Sequence, residues 1–191
     1  DGSSWTQLNY TGSYVRGDVV VFDNTIHLFC GSDNNACYHS QWNKSSDTWT
    51  NKANFVDRFF NNGGRAIIFN NELHLLGGNQ SYNHFIWNKT NDTYNGVKSL
   101  SKNFSDGIAI SHNNEIHLFG ADDDKYGHYK IVNDNLIYVS KMPSTVGRHG
   151  TFDVVSYNGH IHIFNSSSHY KFVDNQWVQL SSLKRAMDDG R

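Results

Sequence analysis

Asn71-Glu72-Leu73-His74-Leu75-Leu76-Gly77-Gly78 is one of four versions of a single eight-residue phrase. The others are Asn24-Thr25-Ile26-His27-Leu28-Phe29-Cys30-Gly31, Asn114-Glu115-Ile116-His117-Leu118-Phe119-Gly120-Ala121 and Gly159-His160-Ile161-His162-Ile163-Phe164-Asn165-Ser166. The shared His stands at 27, 74, 117 and 162, in steps of 47, 43 and 45. A period in this range means a solenoid, a propeller or an array, so the repeat governs everything else.

Each phrase follows a turn pair: Asp23-Asn24, Asn70-Asn71, Asn113-Asn114 and Asn158-Gly159. Asn, Asp and Gly tolerate positive φ, which suits a tight hairpin turn of the primed type. A short apolar run precedes each turn: Val19 to Phe22, Ala66 to Phe69, Gly107 to Ile110 and Val154 to Tyr157. These runs read as buried strands, here strand a, and the His phrase as strand b. Downstream a second His recurs at 39, 84, 128 and 169, each followed three residues later by Trp42, Trp87, Ile131 or Phe172. A polar turn and then Trp49, Tyr94, Tyr138 or Trp177 mark strands c and d. The c-to-d spacing is 7 in the first three repeats and 5 in the last. One repeat is thus a four-stranded meander of propeller-blade length, and such sheets bury their faces by stacking around an axis.

With these residues laid out, the chain resembles a kelch-repeat β-propeller over nearly its whole length. The resemblance rests on the b strand ending in Gly77-Gly78, the c-strand aromatic, the d-strand Trp or Tyr, and the Arg16-Gly17 and Arg148-His149-Gly150 segments ahead of strand a. It departs from the kelch pattern at Cys30-Gly31, Gly120-Ala121 and Asn165-Ser166, which replace the double glycine, and at Ile131. The expected fold is all-β: a kelch-like propeller or propeller arc with four complete four-stranded antiparallel blades. The blades are expected over residues 14–52, 63–100, 105–141 and 148–183, in one domain of 191 residues with a tail at 184–191.

Residues 1–13 form an extra element. Asp1-Gly2-Ser3-Ser4-Trp5-Thr6-Gln7-Leu8 resembles Asp174-Asn175-Gln176-Trp177-Val178-Gln179-Leu180, so it reads as an orphan outer strand ahead of the first blade. Three arrangements satisfy that count: a piece of a longer propeller, a closed four-bladed ring, or copies that meet at open blade ends. The kelch resemblance implies rings of six or seven blades, which favours the first. Open blade ends would expose apolar faces and invite self-association.

Composition excludes several classes. The net charge is −2, with no basic stripe, so nucleic acid is not an expected partner. No run of about eighteen apolar residues exists, so no membrane span is expected, and no signal-peptide pattern is visible at the start. Cys30 and Cys37 bracket the first b–c loop and are expected as thiols, with a disulfide as the alternative. Asn-X-Ser/Thr triplets at Asn9, Asn43, Asn88, Asn91 and Asn165 matter only if the protein is secreted.

The chemistry-bearing residues read mainly as scaffold. Eight of the eleven histidines recur in register, two per repeat, and blade-related positions do not converge on one ion. The b and c histidines of one repeat can instead hydrogen-bond across neighbouring strands. His160 and His162 share a strand face but lack a third ligand nearby in sequence. Asp122-Asp123-Asp124 reads as a solvated turn, with a cation site as the alternative. No nucleophile elbow, phosphate-binding glycine loop or His-Glu-x-x-His is present. No catalytic residue, metal or cofactor is therefore assigned.

The d–a and b–c loops share one face and vary between repeats, which is where binding usually sits on a rigid scaffold. The longest, Asn51 to Arg65, carries Arg58, Phe59 and Phe60, types favoured at interface hot spots; the alternative tucks the Phe side chains between blades. Arg16, Arg65 and Arg148 precede or open strand a, where they could grip a carboxylate or bond loop carbonyls. With Tyr14, Tyr82, Tyr126 and His149 they make the candidate partner-binding set. The resemblance implies a non-catalytic interaction module for a protein or peptide partner, because kelch propellers are mostly interaction domains. A glycan-binding or glycan-processing propeller is the second reading, and a structural arc of a larger assembly the third.

Overall fold

The computed structural model describes residues 16–31, 37–53, 63–78, 82–97, 99–104, 107–121, 124–146, 152–165 and 167–182. These form four antiparallel sheets arranged as a four-bladed β-propeller. Blade 1 holds β1 (Arg16–Phe22), β2 (Thr25–Gly31), β3 (Cys37–Asn43) and β4 (Thr48–Asn51). Blade 2 holds β5 (Arg65–Phe69), β6 (Glu72–Leu76), β7 (His84–Asn88) and β8 (Thr93–Gly96). Blade 3 holds β9 (Ile108–His112), β10 (Glu115–Ala121), β11 (Asp124–Val132) and β12 (Asn135–Lys141). Blade 4 holds β13 (Asp153–Tyr157), β14 (His160–Asn165), β15 (Ser168–Val173) and β16 (Gln176–Gln179). Strand order follows chain order in every sheet, and β1, β5, β9 and β13 lie one against the next around the axis. The orphan strand read at Asp1 to Leu8 and the tail lie outside the described residues. No helix among the described residues is long and apolar enough to cross a membrane.

The a–b turns are what their residues require. Asp23 and Asn24, Asn70 and Asn71, Asn113 and Asn114, and Asn158 and Gly159 all have positive φ, from 47° to 75°. Two successive left-handed residues match the twist of the flanking strands, and Asn, Asp and Gly adopt them at least cost. The Gly77-Gly78 pair has a different origin. Both residues have φ near +79°, and their amides donate to Asn83 O at 2.9 Å and Phe104 O at 3.1 Å. The chain leaving blade 2 crosses directly over them.

Period-two alternation gives every blade two faces, one toward the preceding blade and one toward the following blade. Blade 1 packs Val20, Phe22 and Phe29 onto Ala66, Leu73, Leu75, Phe85 and Trp87 of blade 2. Blade 2 packs Ile67, Phe69 and Leu76 onto Ile116, Leu118, Tyr129 and Ile131 of blade 3, with Leu100 and Phe104 closing the rim. Blade 3 packs Ile108, Ile110 and Phe119 onto Val154, Ile161, Ile163, Tyr170 and Phe172 of blade 4. Three cores thus join four blades. Among the described residues no corresponding core joins blade 4 to blade 1.

Polar links supplement these cores. Asp18 accepts the Ala66 amide at 3.0 Å, tying blade 1 to blade 2. Burial raises the Asp18 carboxyl above the usual range, opposed by the Ala66 amide, by Arg65 and by the Val19 amide. Replacing it, Asp18→Ala, leaves the buried Ala66 amide without its acceptor and is expected to cost about 1–3 kcal/mol in urea unfolding. An unchanged midpoint would mean that the bridge adds nothing.

Cys30 and Cys37 are both buried thiols. Cys37 faces Gly31 across the ladder and Cys30 faces Tyr38, so strand alternation sends the two side chains to opposite faces.

The structure corrects one alignment. Trp49, Tyr94 and Trp177 stand opposite Trp42, Trp87 and Phe172, but Ile131 stands opposite Leu136. Tyr138 lies two residues further on, opposite Tyr129. The reason is turn length. Blades 1 and 2 close strands c and d with four-residue turns, whereas blade 3 uses Asn133-Asp134 alone, as blade 4 uses Asp174-Asn175. The d-strand aromatic of the repeat is therefore absent from blade 3.

Candidate functional site

The repeated histidines meet in pairs. Strand b and strand c of each blade bring Nδ1 of one to Nε2 of the other: His27 and His39 at 2.8 Å, His74 and His84 at 2.8 Å, His117 and His128 at 2.8 Å, His162 and His169 at 2.9 Å. Phe29 stacks on His39 with centroids 4.3 Å apart, and Phe119 on His128 at 4.5 Å. Burial is the main reason that these rings stay neutral. It pushes His27, His84 and His117 down to about 4, and His39 and His128 to about 3, where the paired ring adds to the effect. His74 is lowered for the same reason, with Glu72 opposing.

In blades 1 to 3 the outer nitrogen of the strand c His has a different environment in each blade. Tyr94 Oη meets His39 Nδ1 at 2.6 Å. Burial holds the Tyr94 hydroxyl in its protonated form, so it can donate to that nitrogen. His39 Nε2–H then donates to His27 Nδ1, an arrangement that gives all three groups a role. His128 Nδ1 meets Ser140 Oγ at 3.2 Å, and Trp177 of blade 4 donates to the same Oγ at 3.1 Å. Among the described residues His84 Nδ1 is buried with no hydrogen-bond partner, as are the inner Nε2 atoms of His27, His74 and His117. The group that should reach His84 Nδ1 would stand where blade 3 has Leu136.

A groove opens at this place between blades 2 and 3. Its volume is about 310 Å³. Phe69, Ile116 and Ile131 form an apolar floor, His74 and His84 a polar wall, and Asn70, Asn114, Glu115, Asn133 and Asp134 the rim. Ile131 is smaller than the Trp87 and Phe172 that occupy its position in neighbouring blades, and Leu136 replaces Tyr94 and Trp177. Glu115 is also held by Lys130 Nζ at 2.7 Å. The signal in the sequence was Ile131 itself, the one c-strand position without an aromatic ring.

This groove opens beside the a–b and c–d turns, on the side opposite the variable loops. Of the residues singled out on the loop side, Tyr14, Arg58, Phe59, Phe60, Arg148 and His149 lie outside the described residues, and Arg16 is described only as backbone opening β1. Arg65 Nε donates to Gly107 O at 2.5 Å, between blades 2 and 3. Tyr82 is exposed ahead of β7. Tyr126 packs against the core between blades 3 and 4, with Lys125 Nζ 5.0 Å from its ring centroid. Asp18 is influenced by both Arg65 and Asp153, which places charges of both signs at the start of the inner strands. Asp124 accepts the Tyr129 hydroxyl at 2.6 Å. Among the described residues, no three His, Cys, Asp or Glu side chains gather in a way that could hold a metal ion.

Comparison with known proteins agrees with the architecture. The chain is similar to a solved structure described as the structure of YjhT, with a TM-score of 0.72 over 93% of this chain and 68% of that one. At 12% identity this similarity shows the propeller fold and nothing finer. No family model matches the chain. No curated protein matches it.

Proposed function

We propose that the protein is a non-catalytic binding module of the kelch type, a rigid propeller that holds a protein or peptide partner. Support comes from where the reactive side chains are. Three of the four histidine pairs are spent on the scaffold as neutral, buried, mutually bonded rings, which leaves the variable d–a and b–c loops and the groove between blades 2 and 3 to meet a ligand. The loop side would contribute Arg65, Tyr82 and Tyr126, together with the Arg and Phe residues of the longer loops.

The single observation that carries the reading is the unmet ring nitrogen His84 Nδ1 above an apolar floor; with His84 Nε2–H donating to His74 Nδ1, the direction taken for the His27–His39 pair, that nitrogen is an acceptor. A buried neutral acceptor is costly to leave unmet, and a hydroxyl or amide N–H from a bound segment would supply what Tyr94 supplies to His39. An apolar side chain of that segment fits against Phe69, Ile116 and Ile131. Sugar hydroxyls could use the same acceptor and the Asn-rich rim, which keeps glycan binding as the second reading.

Ile131→Trp restores the bulky ring that neighbouring blades carry and fills the groove. Peptides selected from a random display library on the unaltered protein are expected to lose at least about tenfold in affinity on this variant, a difference of about 1.4 kcal/mol. A glycan array run in parallel separates the two readings. Binding to glycans alone would shift the function to the second reading. Peptide binding indifferent to Ile131→Trp would remove the groove from the site.

A further inference from the structure

Between blades 1 and 2 the molecule fills, with its own side chains, the place that stands open between blades 2 and 3. Ladder register puts Phe69, His74, His84 and Ile131 at the positions of Phe22, His27, His39 and Trp87. Three groups do the filling. Trp87 supplies bulk, with its ring centroid 5.2 Å from that of His27 and 4.9 Å from that of His39. Tyr94 supplies a donor to His39 Nδ1. Lys89, in the four-residue c–d turn of blade 2, supplies a positive charge. Its Nζ lies 5.8 Å from the Phe22 ring centroid and 3.0 Å from Asp23 Oδ2.

All three are missing one blade further on. Ile131 replaces the Trp and Leu136 the Tyr, and the two-residue turn Asn133-Asp134 has no place for a lysine. What remains is unbalanced in charge. Glu72 shares the His74 face of blade 2, its Oε2 3.7 Å from His74 Nε2. Asp134 lines the groove from blade 3 and acts on the His84 ring. Burial keeps both rings neutral. Among the described residues no Lys or Arg lines the groove, and neither carboxylate has a Lys or Arg partner. His84 lines the same space with its Nδ1 unmet, although the residue is only 4% exposed.

We propose that the groove takes an arginine side chain of a peptide partner. This rests on the reading of the groove as a peptide site and names its anchor. One arginine supplies what the neighbouring interface has and this one lacks. Its methylene stem covers Ile116 and Ile131, as long cationic side chains cover apolar surface while the head stays among polar groups. One guanidinium N–H meets His84 Nδ1, and others meet Asp134 or Glu72 in charge-assisted bonds. The charge takes the place of Lys89, beside the Phe69 ring. Lysine fits less well, because its ammonium is compact and strongly hydrated, whereas the planar guanidinium carries several donors in a fixed fork. A serine or threonine hydroxyl satisfies His84 alone and leaves both carboxylates without a cation.

A random peptide display library panned on the unaltered protein tests this, with Ile131→Trp as the counter-screen that marks groove binders. Groove binders are expected to share an arginine. Exchanging it for citrulline, which keeps the shape and loses the charge, should weaken binding at least about tenfold. Asp134→Asn should weaken the arginine peptides about fivefold and leave their citrulline forms unchanged. Asn tolerates the φ of 59° at this exposed turn, so the variant needs no repacking. Asp174→Asn removes the same charge from the blade 4 turn and should leave binding unchanged. Circular dichroism verifies that each variant folds, and Asp134→Asn serves as the counter-screen if Ile131→Trp does not. Groove binders anchored by lysine or by a neutral side chain would overturn the inference and leave peptide binding in place. Equal losses at Asp134 and Asp174 would overturn it too, since net charge alone would then explain them. Selected peptides indifferent to both groove variants would overturn it by placing the partner elsewhere on the propeller. A protein that selects no peptide would overturn this inference together with the reading on which it rests.

Discussion

Acidification from pH 7 through pH 5 is expected to unfold the protein. The cause is the set of buried histidines. An unfolded His titrates near 6.5, whereas His27, His84 and His117 titrate at about 4 in the folded chain, and His39 and His128 at about 3. Between those values the unfolded chain binds more protons than the folded one, so stability falls as pH falls. Their contribution is constant above about pH 6.5 and is lost progressively toward pH 4. Each such group loses about 1.4 kcal/mol per pH unit in that window. By pH 5 one group has lost about 2 kcal/mol, and the paired rings repel one another once charged, so the set weighs heavily against the roughly 5–15 kcal/mol stability of a typical domain. Local opening of single blades lowers the total, because a hydrated pair no longer resists protonation.

Tryptophan fluorescence followed against pH is the check, since Trp87 and Trp177 lie against His39 and His128. A midpoint near pH 5 is expected. Replacing one pair with His117→Phe and His128→Phe together should move the midpoint to lower pH, while protein stability at pH 7 changes much less. A midpoint below about pH 4, in the range of ordinary carboxylates, would show that the histidines do not set acid stability.

Gly77→Ala is expected to cost about 2–5 kcal/mol, among the largest single-residue effects in the chain. Two penalties add. Gly77 sits at φ +79°, where an L side chain costs about 1–2 kcal/mol. The added methyl group would also run into the backbone carbonyl of Phe104, which cannot turn aside because its oxygen accepts the Gly78 amide at 3.1 Å and its ring is buried in the core between blades 2 and 3. Overpacking against a fixed neighbour adds about 1–3 kcal/mol. Gly159 supplies the control. Its φ is +75°, but nothing lies within 4 Å of the methyl position. Gly159→Ala should therefore show the conformational penalty alone. Urea denaturation of both variants separates the two terms, and equal losses would rule out the steric one.

The repeat shows how far the sequence could be read. Blades, strand order and the a–b turns were legible because their causes are local: Asn and Asp accept positive φ wherever they stand, and alternation defines two faces from the strand alone. The pairing of b and c histidines was open as a possibility, since the ladder brings neighbouring strands together whatever follows. The d strand of blade 3 was misaligned at Tyr138. A spacing of 7 matched its siblings, but the turn there is two residues long, so Leu136 takes the place of the aromatic. Register depends on the turn, and one shortened turn moved the ring out of the interface.

The candidate site was less legible. The variable loops were found as variation, and most of their Arg and Phe residues lie outside the described part of the fold. The groove was missed because it is made by what two blades fail to supply, Ile131 instead of a larger ring and Leu136 instead of a donor for His84. Such a deficit exists only when the blades are placed side by side. The sequence by itself determined the blade, its length, its turns and its fourfold repetition, because these follow from period-two alternation and short-range backbone preference. Only the tertiary structure decided which faces are packed between blades and which histidine nitrogens lack a partner among the described residues, because those depend on the neighbour across the interface.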